Sequence, residues 1–117
     1  MGTTEGVIEI EQKKVGDVLV VRLKGRLDAI STPLTEKKTF DLINEGQYKL
    51  LIDFAHVDYI SSAGMRMLLS LTKKLKSLSG KLVLCNVTHN VMDVLKMSGF
   101  DHVLELARTE EDALKKF

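Results

Sequence analysis

Asp58-Tyr59-Ile60-Ser61-Ser62-Ala63-Gly64-Met65-Arg66-Met67-Leu68-Leu69 joins two different periodicities. Upstream lies Leu50-Leu51-Ile52-Asp53-Phe54, a nearly continuous apolar run of strand length, the kind covered on both faces in a parallel sheet. Downstream, Leu68, Leu71, Leu75 and Leu78 recur at intervals of three and four, with Lys73, Lys74 and Lys76 on the opposing face. That spacing predicts an amphipathic helix. The junction carries two adjacent hydroxyls followed by two small residues. A serine at a helix start caps it by accepting bonds from the first free backbone N–H groups. A second serine in the first turn, beside Ala63 and Gly64, leaves room for a large group to approach. An anion there would meet free N–H groups and the positive end of the helix dipole.

Working toward the N-terminus, Ser31-Thr32-Pro33 reads as a cap followed by proline at the first helical position. The predicted helix carries Leu34, Phe40, Leu42 and Ile43 inward and stops at Asn44-Glu45-Gly46. Before it, Val18-Leu19-Val20-Val21-Arg22-Leu23 is a buried strand ended by Gly25-Arg26-Leu27-Asp28. Residues 7–13 alternate apolar and polar, as a half-exposed edge strand does, and Gly16-Asp17 offers the tight turn that makes the two an antiparallel hairpin. Tyr48 to Phe54 is the strand that leads into the junction.

Toward the C-terminus, Ser79-Gly80 closes the long helix and Lys81 to Val87 forms a fourth strand. Thr88 is expected to cap a short helix bearing Val91, Val94 and Leu95 and ended by Gly99. Val103-Leu104-Glu105-Leu106 reads as a fifth strand. A last helix, opened by Thr109 with acids in its first turn, is expected to run to the C-terminus. Strand and helix alternate through this half, which implies right-handed parallel crossovers added to the initial hairpin. The expectation is one α/β domain spanning 1–117, a mixed sheet of about five strands with about four helices.

Composition excludes several classes. With 17 basic and 16 acidic residues the net charge is +1, so no electrostatic footprint for nucleic acid is present. No apolar run approaches the roughly 20 residues of a membrane span. The first residues lack the apolar core of a secretion signal, and Gly6 breaks the myristoylation pattern. A single cysteine, Cys85, cannot form an internal disulfide and suits a reducing compartment. A cytoplasmic protein is expected, without direct nucleic-acid or membrane contact.

Dedicated chemistry is sparse. No glycine-rich dinucleotide or phosphate loop is present. His56, His89 and His102 stand singly, without metal-ligand spacing, so no metal and no cofactor is expected. Cys85 in mid-strand reads as a small buried hydrophobe. Met65, Met67, Met92 and Met97 fall on predicted helices as packing residues, or as partner contacts where exposed. A nucleophilic serine would need the Gly-x-Ser-x-Gly elbow, whose first glycine is missing, and a triad partner, for which His89 and Asp28 are the candidates. The reading is therefore not of an enzyme, and no catalytic residue is assigned.

Val57-Asp58-Tyr59-Ile60-Ser61-Ser62-Ala63-Gly64-Met65 closely resembles the signature of STAS domains of the anti-sigma-factor-antagonist type. Gly25-Arg26-Leu27-Asp28 and Lys96-Met97-Ser98-Gly99-Phe100 resemble two further family motifs, and the order of segments matches over nearly the whole chain. The resemblance implies a bacterial phosphoprotein in a partner-switching circuit that regulates transcription. The unphosphorylated form binds an anti-sigma-factor serine kinase and frees the sigma factor; phosphorylation ends that association, and a serine phosphatase resets it. Counted back from Gly64, the family's acceptor falls on Ser62, with Ser61 as the alternative. Ser61 stands where the family often has Asp, and Ala63 follows the acceptor. Asp28, Ser61, Ser62, Ala63, Gly64, Met65 and Arg66 are the expected partner-binding residues, on a monomer or weak dimer. The other reading within the family is an interaction module of a different, non-sigma signalling assembly. If Ser61 is the N-cap, Ser62 projects outward; if Ser62 is the cap, its hydroxyl must rotate out to react.

Overall fold

In the computed structural model, which describes residues 3–4 and 8–117, six strands form one mixed sheet in the order of the chain. The strands are β1 (Thr3–Thr4), β2 (Ile8–Val15), β3 (Val18–Gly25), β4 (Lys49–His56), β5 (Lys81–Cys85) and β6 (Glu105–Ala107). The helices are α1 (Ser31–Asn44), α2 (Ser62–Ser77), α3 (His89–Ser98) and α4 (Glu110–Leu114), with a 3-10 turn at Phe100–His102. The five expected strands and four helices are present, and the two-residue β1 adds a further rung beside β2. Val7, expected to open the first strand, lies outside the described residues.

β1, β2 and β3 pair antiparallel, and β3 through β6 pair parallel. Val15 faces Val18 across the two-residue turn at Gly16-Asp17, as the hairpin reading requires. Each parallel crossover then advances one strand in the same direction. Right-handed connections that never reverse place α1, α2 and α3 on one face. Period two divides the strands accordingly. Leu19, Val21, Leu23, Leu50, Ile52, Phe54, Leu82 and Leu84 point into the main core with Leu68, Leu71 and Leu75 of α2 and Val91 and Leu95 of α3. Val18, Val20, Leu51, Val83 and Cys85 point the other way, where, among the described residues, α4 covers them through Ala113, joined by Ala107, Leu114 and Phe117.

Boundaries depart from the sequence reading where side chains take over backbone duties. α1 begins at Ser31 but is capped from outside, because Asp28 Oδ1 accepts the N–H groups of Ile30 (3.0 Å) and Ser31 (2.9 Å). Pro33 thus occupies the third helical position, where its missing N–H is still one of the four with no helical partner. Leu34, expected inside, is 40% exposed. The inner face of α1 instead uses Thr35 and Thr39, whose hydroxyls donate to the carbonyls of Ser31 (3.1 Å) and Thr35 (2.9 Å). β5 stops at Cys85 rather than Val87, because Asn86 adopts a left-handed φ of 55° and donates its N–H to the Arg108 carbonyl. Thr88 precedes α3 without capping it; its hydroxyl donates to the Val57 carbonyl at 2.7 Å, pinning the helix start to the loop after β4. The fifth expected strand begins two residues late, since the 3-10 turn occupies the chain before it. Thr109 does cap α4, accepting from the Asp112 N–H at 3.1 Å. That helix ends at Leu114 and not at the terminus, and the turn beyond it brings Phe117 against the sheet.

Candidate functional site

The Ser61-Ser62 junction is assembled from two stretches that are distant in sequence. Beyond β3, Leu27 forms an isolated parallel bridge with Ile60. The Leu27 N–H donates to the Tyr59 carbonyl (3.0 Å), and the Ser61 N–H donates to the Leu27 carbonyl (2.8 Å). Both Leu27 and Ile60 are buried, so this bridge ties the Gly25–Asp28 stretch to the start of α2 through the core. Arg26 lies over the Tyr59 ring, its guanidinium carbon 4.1 Å from the centroid, a cation–π contact that holds the two stretches together outside as well.

Ser61 is the N-cap of α2. Its backbone is extended (φ −90°, ψ 172°), its Oγ accepts from the Gly64 N–H at 3.3 Å, and its carbonyl accepts from the Met65 N–H at 3.0 Å. Ser62 is therefore the first helical residue, and its side chain is exposed. The alternative in which Ser62 caps the helix is excluded by this arrangement. No acidic residue occupies the first turn, so the positive end of the dipole is uncompensated there.

Gly64 has a different place from the one its small size suggests. It is buried, and a Cβ built on it would stand 2.7 Å from Ile60 Cγ1 and 3.2 Å from Leu27 Cβ. The space left by the absent side chain is filled by the protein's own bridge residues. Gly64 thus lets α2 sit close on Leu27 and Ile60, while the exposed Ser62, the half-buried Ala63 and Met65, and the exposed Arg66 form the surface.

Asp28 is half-buried beside this surface, and the two N–H bonds to its Oδ1 make it structural as well. The Ser31 N–H, first among these bonds, keeps its carboxyl below the ordinary carboxylate pKa, so it is ionised at neutral pH. Its backbone N–H donates to Ser31 Oγ at 3.1 Å, and Ser31 Oγ in turn donates to the Arg26 carbonyl. The candidate triad partners are thus engaged elsewhere: Asp28 with α1, and His89 with Asp93 at 3.2 Å on α3. Among the described residues no group of His, Cys, Asp and Glu is arranged to hold a metal ion. Cys85 is fully buried, and that burial pushes its thiol up to about 12, which keeps it protonated and unreactive.

Between α1 and α2, a shallow groove of about 320 Å³ runs beside Ala63 and Arg66, with Thr32, Pro33 and Glu36 on the other wall. A larger depression of about 640 Å³ lies at the opposite end of the parallel strands, near Lys81 and Glu105, remote from the serines. Two features of the site were not read from sequence. One is the Leu27–Ile60 bridge, which joins residues 33 apart by a backbone pairing that leaves no compositional trace. The other is the capping by Asp28. Its signal was present, since Asp three residues before Ser31 is the spacing of a side-chain turn.

The family model described as STAS domain matches residues 9–113. The candidate anti-sigma factor antagonist BtrV of Bordetella bronchiseptica is 29% identical over 110 residues, covering 94% of this chain and 95% of that protein. A crystal structure of a candidate anti-sigma factor antagonist from Thermotoga maritima superposes with a TM-score of 0.87 at 23% identity, covering 92% of each chain. The anti-sigma factor antagonist SpoIIAA in its unphosphorylated form gives a TM-score of 0.77 at 25% identity, over 92% of this chain and 94% of that one. This Bacillus cell-fate determinant has also been solved in a phosphorylated form.

Proposed function

The chain belongs to the STAS domain family, and we propose that it acts as an anti-sigma-factor antagonist controlled by phosphorylation of Ser62. The observation that carries the reading is the division of labour at the head of α2: Ser61 holds the cap while Ser62 stands exposed in the first turn. The curated relative described as a candidate anti-sigma factor antagonist, and SpoIIAA with its two forms, support it. In this reading the unphosphorylated protein binds an anti-sigma-factor serine kinase in the cytoplasm and so releases a sigma factor. The Ser62 hydroxyl then takes the γ-phosphoryl group of the kinase's ATP, and a serine phosphatase removes it.

The physics of the junction explains how one group ends binding without unfolding the protein. Phosphate adds about −1.5 to −2 charges at neutral pH. At the first helical position that charge meets the favourable end of the dipole, so the fold tolerates it. A partner surface shaped around a neutral hydroxyl does not, because it meets repulsion and a desolvation cost. A loss of about 3 kcal/mol weakens binding about a hundredfold. Asp28, Ser61, Ala63, Met65 and Arg66 surround Ser62 in the proposed contact surface, with Gly64 setting its shape from beneath.

Binding to the cognate kinase tests this reading. Ser62→Ala should bind as the parent does and resist phosphorylation, whereas Ser62→Asp should bind at least tenfold more weakly. Equal binding by the two variants would overturn it. Recovery of a different partner, with no sigma-factor-binding kinase, would instead place the domain in another signalling assembly.

A further inference from the structure

Among the described residues Arg66 has no ionic partner. None of the ion pairs among the described residues includes it, although it is exposed on a helix whose first turn is free of acids. It stands four residues after Ser62 on the same helix. Positions i and i+4 are neighbours on a helix surface, about 6 Å apart at Cβ. Arg66 lines the α1–α2 groove beside Ala63, and because helical side chains lean toward the N-terminus, its long arm can reach back over the turn that carries Ser62. Three nearby charged groups do not engage Arg66. Glu36 of α1 lines the same groove without pairing with Arg66, the Asp28 carboxylate is held by the α1 N–H groups, and Arg26 is stacked on Tyr59.

We propose that Arg66 is the internal clamp for the phosphate on Ser62, an inference that rests on the reading of Ser62 as the acceptor. The planar guanidinium meets two phosphoryl oxygens at once, which a lysine ammonium does as a point charge only. Phosphorylation then changes the surface twice. It adds an anion at Ser62, and it withdraws the guanidinium that the unphosphorylated protein offers to its partner. Because the clamp is intramolecular, the phosphorylated state is settled within the chain itself and needs no acid or base from outside.

The test uses full-length protein carrying phosphoserine at position 62, introduced during synthesis so that no kinase is required, and follows the phosphate by phosphorus NMR as pH is varied. A neighbouring cation favours the dianion, so the parent phosphate should titrate about 0.3 pH units below that of Arg66→Gln, the scale of an i,i+4 ion pair. Arg66→Lys should recover part of the difference. Arg108→Gln, which removes an exposed arginine elsewhere, should match the parent. Coincident curves for the parent and Arg66→Gln would overturn the clamp, as would an equal displacement by Arg108→Gln, which would mark a general field. The two readings separate cleanly. Mapping of the kinase's label to another residue overturns both, whereas label on Ser62 with coincident curves overturns the clamp alone.

Discussion

Single atoms decide the geometry of the serine pair. Placing a methyl group on Gly64 drives it against Ile60 and Leu27, the two residues of the bridge, and none of these buried atoms has solvent to move into. Gly64→Ala should therefore destabilise the fold by about 1–3 kcal/mol, as overpacking does, seen as a lower midpoint in urea. The serines themselves should part company in the same measurement. Ser61→Ala removes a cap and should cost about 0.5–1 kcal/mol, while Ser62→Ala should be nearly neutral, because its exposed hydroxyl caps nothing. Asp53 is the residue that composition hides most. It sits in an apolar run and is 3% exposed, yet it is ionised. Burial acts to raise its pKa, but the Ala55 N–H, the Asn86 amide and the Arg22 guanidinium together outweigh that and hold it below the ordinary value. A depressed folded pKa means stability that is complete above the unfolded value, near 3.9, and lost as pH falls through the folded one. Thermal midpoints measured from pH 7 downward should fall below about pH 4 in the parent and fall less steeply in Asp53→Asn.

At the scale of elements, patterns with a long period were legible and their ends were not. The leucine stripe of α2 is unmistakable because buried Leu68, Leu71 and Leu75 repeat at intervals of three and four; the helix ends at Ser77, two residues before the expected Ser79-Gly80 stop, and its cap falls on Ser61, one of the two serines the sequence offered. Its stop has an unusual division of work. Ser79 takes the left-handed backbone (φ 60°), and Gly80 is there for closeness, since a Cβ would fall 2.2 Å from the Tyr48 carbonyl oxygen. The Lys81 N–H bonds that same carbonyl at 2.8 Å, so the close approach is what starts β5 in register beside β4. Gly80→Ala must push backbone against backbone, and a loss of more than 2 kcal/mol by denaturant titration is expected. The first helix shows why the rest was hidden. Its inward threonines satisfy themselves on the preceding turn, a solution that looks polar in sequence and packs as apolar in space. The ends at Asp28, Asn86 and Thr88 differ in cause: Asp28 bonds backbone three residues on, a local spacing, whereas the Asn86 N–H on the Arg108 carbonyl and the Thr88 hydroxyl on the Val57 carbonyl are long-range bonds that leave no local pattern.

Over the whole molecule, the one-way winding of the sheet gives the two faces unequal cover. Three helices load one side, and the short α4 holds the other through Ala113 and through Glu110, which pairs with Lys13 at 3.1 Å and approaches Arg22 at 3.8 Å. The alternation of strand and helix made this α/β class readable, and the hairpin at its start made the sheet mixed. The thin second layer was not readable, because a five-residue helix is too short to show a period. Hydrogen exchange should find the amides of α4 opening well before those of β3, β4 and β5. Phosphorylation at Ser62 should leave that ranking unchanged, in keeping with a change confined to the surface.

The Leu27–Ile60 bridge also bears on the life of the chain before it is complete. Its two sides come from the exits of adjacent parallel strands, and pairing those strands must await the closure of the α1 connection between them. Until that closure, the Ser61 N–H has no Leu27 carbonyl to bond and α2 has no seat. A nascent or partly unfolded copy therefore displays no ordered Ser62, and in the proposed circuit kinase engagement would double as an inspection that only finished molecules pass.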